Sequence, residues 1–260
     1  MNTLIELVGV NQELLVYLAI DITIAIVLLG AMRFLLGLTS KVNSTEELAQ
    51  KDNFAFGVSV AGSILALGIV LTGAITGENA PSYMIEIIGM LAYGAYGLVL
   101  IKIGRIIQDK VALHHLNKTE LIKEQNLSIG IIDAAGAIAT AIIIRAVLLW
   151  VDGLDVATFI AITSGFIVAQ AVLVLVTRIR ENQYAKNNQK DCLQEALSEG
   201  QVALAIRYSG QVISTALAVT AASHFLIYSP DTLVINLIGW LVFGLIMTVL
   251  VSLLTTLAKK

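Results

Sequence analysis

Four ionisable side chains stand inside long apolar runs: Asp21, Asp133, Arg145 and Arg207. A charge at the centre of a membrane helix costs about 2.5–3.5 kcal/mol on insertion scales, so it needs a partner, water or a use. Asp133 and Arg207 occupy one aligned position in two copies of a repeated helix, where a third copy has Ser59. Equal depth predicts that they form an ion pair in the inner third of the bundle. The plainer reading of such a pair is that it fixes helix packing and register. Asp21 and Arg145 lie at similar depth near the other face and form a second candidate pair, unless Arg145 snorkels to the headgroups. Gln170, Gln211 and Asn236 are also embedded. With the charges they could line a hydrated path; alternatively each amide bonds a neighbouring helix, worth about 0.6–2 kcal/mol.

Other chemistry finds little footing. His114-His115 sits in a linker near Asp109, without the further ligands at defined spacing that a metal requires. Cys192 is the one cysteine, so no internal disulfide forms. Nucleophile elbow, Walker loop and dinucleotide fingerprint are all missing, so no catalytic residue, metal or cofactor is expected. A net charge of −3 gives no reason to expect nucleic acid as a partner. Trp150, Tyr83, Tyr228 and His224 fall near outer helix ends, where an interfacial aromatic belt is expected.

The elements that must hold these residues are membrane helices. The chain of 260 residues is 57% hydrophobic and 13% charged, about half the charge a soluble domain carries. Crossing ~30 Å of hydrocarbon takes about 20 apolar residues. Asn53 to Gly77, Val156 to Thr177 and Thr232 to Ala258 are long uncharged runs. Leu14 to Leu38, Met84 to Ile107, Leu127 to Trp150 and Val202 to Leu226 qualify with one or two charges each. Seven crossings result, and the fold class expected is an all-α polytopic bundle.

The basic residues orient it. Of 16 Lys and Arg residues, all but Arg145 and Arg207 flank the linkers on one face or end the chain there. Glu6, Glu13, Glu78, Asp152, Asp155 and Asp231 mark the opposite face. Positive residues stay cytoplasmic during insertion, so the N-terminus is expected outside and the C-terminus inside a plasma membrane. The start of the chain lacks the basic residue of a secretory signal, so the first helix is expected to be retained.

A repeat organises most of the chain. Gly62, Gly136 and Gly210 recur at intervals of 74, each inside a helix leaving the basic face. Gly89, Gly165 and Gly239 recur in the returning helices. These six glycines, with small partners such as Gly57/Ala61 and Gly130/Ala134, predict close helix packing. The division is a leading helix (1–44) followed by two-helix units at 45–118, 119–192 and 193–260. Each unit has two spans, so the copies are parallel and suggest a pseudo-rotational axis along the membrane normal.

The Asn-x-[Ala/Ser] helix starts (Asn53-Phe54-Ala55, Asn126-Leu127-Ser128) and the small-Gly pairs (Ala61-Gly62, Ala135-Gly136, Ser209-Gly210) carry a resemblance. Across about residues 10–258 the chain resembles the domain-of-unknown-function 350 family of bacterial inner-membrane proteins. The third copy departs, starting Gln201-Val202-Ala203. The resemblance implies location and architecture and carries over no site residue. Two functions remain open. One is a channel or transporter using the embedded polar groups. The other is an envelope scaffold that engages a cytoplasmic partner through its linkers, such as 44–50 and 192–199. Besides lipid, the partners expected are a further copy of the chain or such a linker-bound protein. Neither an enzyme domain nor room for one is found in linkers this short.

Overall fold

A computed structural model describes residues 12–40, 46–75, 82–189 and 192–257. Glu6, Lys41, Ser44, Glu78, Lys190, Lys259 and Lys260 lie outside the described residues. Helix α1 (Gln12–Ser40) leads, followed by α2 (Phe54–Ile75) and α3 (Tyr83–Ile107), which a π-helical turn prolongs to Ala112. A short α4 (Lys118–Lys123) precedes α5 (Leu127–Trp150) and α6 (Val156–Asn187). A second short helix, α7 (Leu193–Ser198), leads to α8 (Val202–Thr220) and α9 (Leu233–Leu257). Seven helices (α1, α2, α3, α5, α6, α8 and α9) are long and apolar enough to cross a membrane. No strand occurs among the described residues.

Helix α6 runs ten residues beyond the expected Thr177, to Asn187. Its 32 residues measure about 48 Å at 1.5 Å each, more than a ~30 Å core can hold. Its last turns therefore project past the hydrocarbon with Arg178 and Arg180 at the boundary.

Helix α5 sits at the centre, packed between α2 and α8, which run parallel to it. Its parallel register on α2 is visible in three contacts: Gly130 on Ala55, Asp133 on Ser59 and Gly73 on Arg145. The outward helices therefore form a row with α5 in the middle, and α2 makes little contact with α8. A closed arrangement about a central axis would need all three to touch, so the expected axis gives way to a row. The returning helices α3 and α6 close one side, and α1 and α9 pack at the two ends.

The linkers interlock at one end, here called the linker end. Asn53 caps α2 by accepting from Phe56 N at 3.0 Å, while its amide donates to Ile122 O at 2.8 Å in the next linker. Asn126 does the same one unit on, accepting from Ile129 N at 3.3 Å and donating to Ser198 O at 2.6 Å. One side chain thus satisfies an orphan helix N–H and ties consecutive units together. Gln201 makes no side-chain cap, and no described linker follows it. The residue before each of these has positive φ: Asp52 at 48°, Gln125 at 62° and Gly200 at 85°.

Counting from those three residues changes the glycine register. Gly62 and Gly210 follow by ten residues, but Gly136 follows by eleven. One residue turns a helical side chain by about 100°. Gly62 accordingly faces α5, where a Cβ would land on Ala134. Gly136 faces away, where a Cβ would lie 3.7 Å from Gln108 Cγ, and Gly210 faces open space because the row ends at α8. Gly136 and Gly210 therefore do not bring helices together as expected. In the returning helices a Cβ at Gly165 would lie 3.0 Å from Val147 Cγ1 and one at Gly239 2.9 Å from Leu226 Cδ2. At Gly89 a Cβ would make only ordinary contact, 3.7 Å from Leu154 Cδ1. Gly130 is the tight contact that spacing overlooked, lying against the Ala55 carbonyl.

Trp150 ends α5, as expected of an outer-end residue, but is buried: its ring meets Trp240 and Tyr228 edge-on at 5.0 and 5.4 Å, and it donates to Leu226 O at 3.0 Å.

Two outcomes follow. Gly62→Ala should lower stability by about 1–3 kcal/mol through overpacking, whereas Gly210→Ala should be neutral or mildly stabilising; thermal unfolding in detergent compares them. Lys51 and then Asn53 hold the Glu47 carboxyl below its ordinary value of 4.5. Its contribution is therefore complete above that pH and is lost as acid carries the pH through the lowered value. Glu47→Gln should weaken the protein at neutral pH and flatten its acid limb, read as melting temperature against pH.

Candidate functional site

The close approach of α2 and α5 places Ser59 against Asp133, and the Ser59 hydroxyl donates to Asp133 Oδ2. Helix α3 crosses both and brings Arg105, whose Nη2 pairs with the same oxygen. Arg105 Nη1 donates to Ser63 Oγ at 3.2 Å, and Ser63 in turn donates to Ser59 O at 2.9 Å. Asp133 is 5% exposed. A carboxylate so far from water persists only where a paired cation and hydrogen bonds replace its hydration.

This cluster forms the floor of a cavity of about 260 Å³ that opens at the linker end. Lys102, Arg105, Lys118 and Lys123 line it against Asp109 and Asp133, leaving the cavity net positive. Lys118, with its side chain 6% exposed, bridges the wall to Asp109 Oδ1 at 2.6 Å. Two turns further along α5, Thr140 accepts from Gln170 Nε2 at 3.2 Å. A Cβ on Gly104 would strike Thr140, so α3 and α5 are in close contact there. The Gln170 carbonyl oxygen is buried without a hydrogen-bond partner.

The partner of Asp133 is therefore Arg105, not Arg207. Arg207 follows Gly200 by seven residues, while Asp133 follows Gln125 by eight. The one-residue difference turns Arg207 to the exposed side of α8. Asp21 does not meet Arg145 either, because α1 packs on α2 and α3, which separate it from α5. Asp21 is 6% exposed and has Glu86 of α3 as its charged neighbour. Arg145 Nε donates to Thr72 Oγ1 at 3.0 Å.

The three amides are scattered as well. Gln170 is central, Gln211 lines a separate cavity at the linker end, and Asn236 caps the opposite loop by donating to Ile227 O at 2.9 Å. They do not assemble into one path. His114 meets Arg178 Nη2 at 2.9 Å, and its ring contacts that of His115 at a tilt of 41°. Among the described residues no group of three metal-ligating side chains gathers.

Sequence reading missed Arg105, Ser59, Ser63 and Lys118. Arg105 passed as one more basic residue flanking a linker. The available signal was its place two residues inside the end of α3 at Ile107, within reach of the membrane interior.

Fold and site together define a polytopic helical-bundle membrane protein with a buried ion pair beneath a net-positive cavity. The chain belongs to the family described as Domain of Unknown Function (DUF350), whose profile matches residues 7–148 and 153–260. It is similar to the UPF0719 transmembrane protein of Aquifex aeolicus (strain VF5), at 28% identity over 133 residues. That match covers 51% of this chain and 49% of the relative, so the alignment spans about half of each. No solved structure matches the chain.

Removing one partner of the buried pair leaves the other uncompensated. Asp133→Asn and Arg105→Gln should each cost about 3–5 kcal/mol, and the double variant should cost well below their sum. Arg207→Gln should stay within about 0.5 kcal/mol of the parent, as surface changes do. A double-mutant cycle on detergent-solubilised protein reads all four; an Asp133–Arg207 coupling in its place would contradict the geometry.

Proposed function

We propose that this is a bacterial plasma-membrane protein whose activity is permeation, with its linker end in the cytoplasm. Basic residues around the linkers support that orientation, because positive flanks resist translocation. The observation that carries the permeation reading is the cavity floored by Arg105 and Asp133. Its net-positive lining favours a small anion arriving from the linker end. An anion that engages Arg105 competes with Asp133 for the guanidinium. Further passage requires α3 to move on α5 where Gly104 meets Thr140, a small shear of packed helices.

A second reading, an envelope scaffold, has one observation in its favour. The linkers are fastened to one another by Asn53 and Asn126, so the linker end presents a fixed surface to a partner.

Reconstitution into liposomes separates the two. Under an imposed anion gradient, chloride and phosphate flux is expected from the parent protein, with loss in Arg105→Gln and Asp133→Asn variants that still fold. No flux for any anion in the panel, or equal flux from parent and folded variants, would remove the permeation reading and leave the scaffold.

A further inference from the structure

A second cationic cavity lies at the linker end between α6 and α8, about 310 Å³ in volume. Arg180, Arg207, Tyr208, Gln211, Tyr184 and Asn188 line it, and among the described residues no acidic side chain does. Its position repeats that of the Arg105–Asp133 site one unit on. Thr140 follows Gln125 by fifteen residues and Thr215 follows Gly200 by fifteen. The chain beside Arg105 touches Thr140; Arg180 reaches from α6 to Thr215 Oγ1 at 2.8 Å. At the place of Asp133, eight residues after the left-handed residue, stands Tyr208. At the place of Ser59, seven residues after it, stands Arg207.

The second site thus keeps the arginine of the first, loses its carboxylate and gains another cation. Arg180 Nη1 is buried without a hydrogen-bond partner. Leaving a buried charged donor unmet is costly, and among the described residues no carboxylate lines the cavity to meet it. We infer that the Arg180–Arg207 cavity binds a phosphate-bearing anion. Two guanidiniums beside the Gln211 and Asn188 amides suit the several acceptor oxygens of a phosphate. Its location points to the headgroup of an anionic phospholipid. Arg180 lies where α6 leaves the hydrocarbon, and Ile179 and Ile206, the chain neighbours of Arg180 and Arg207, are 46% and 58% exposed and offer apolar surface to acyl chains. Basic pockets between membrane helices take such headgroups. Soluble phosphate shares the chemistry and is the other source to be distinguished. The inference stands apart from the permeation reading, since it concerns binding alone.

Native mass spectrometry of the full chain in detergent provides the test, using short-chain phosphatidylglycerol, phosphatidylcholine of the same chain length, and inorganic phosphate. The variants are Arg180→Gln, Arg207→Gln and Arg180→Lys, with Lys110→Gln as a control outside the cavity lining. Phosphatidylglycerol should be retained by the parent and Lys110→Gln, and bound ~10-fold or more weakly by either Arg→Gln variant; phosphatidylcholine should not be retained. Arg180→Lys should hold an intermediate amount, and exposed Arg207 provides a variant that folds even if Arg180→Gln does not. Displacement of phosphatidylglycerol by millimolar inorganic phosphate, with the same arginine dependence, would support the site with soluble phosphate as its source. Equal retention of both lipids, or phosphatidylglycerol bound equally by parent and Arg207→Gln, would overturn it.

Discussion

The parallel contact of α2 with α5 organises this molecule. Gly62 receives Ala134, and Gly130 lies on the Ala55 carbonyl. In a bilayer, helices gain no hydrophobic reward for meeting, so association rests on dispersion and polar contacts that only a short interaxial distance allows. That distance lets a side chain as short as Ser59 reach Asp133. It also leaves Arg105, arriving from α3, as the cation nearest the carboxylate. Pull the two helices apart by a methyl group and the aspartate loses its hydroxyl donor.

The linkers set this register. Asn53 and Asn126 each close a helix N-terminus and grip the following linker, so every unit is placed against the next. The spacing they impose is unequal. Helices α2, α5 and α8 begin at Phe54, Leu127 and Val202, intervals of 73 and then 75 residues. A uniform interval of 74 averages these and misplaces the middle helix by about a quarter turn. That error explains why Gly136 fails to pack and why Arg207 misses Asp133.

The consequence is two related sites with different equipment. Between the first and second units the chain supplies both charges and closes the site upon itself. Between the second and third, Tyr208 replaces the acid and Arg207 adds a cation, leaving positive charge open at the membrane boundary. Divergence of the copies, more than their likeness, sets the two sites apart.

Several features were legible in the residues alone: seven crossings, the gathering of basic residues at one end and the alternation of long spans with short linkers. Each follows from how many apolar residues lie in sequence and where charge interrupts them, which the bilayer reads without reference to a fold. The importance of Asp133 was legible for the same reason, since a carboxylate in a span must be answered. Which residue answers it was decided by tertiary structure. Arg105 is close to Asp133 only because α3 crosses the α2–α5 contact, and one residue of register, about 100° of helix rotation, separates that partner from the wrong one.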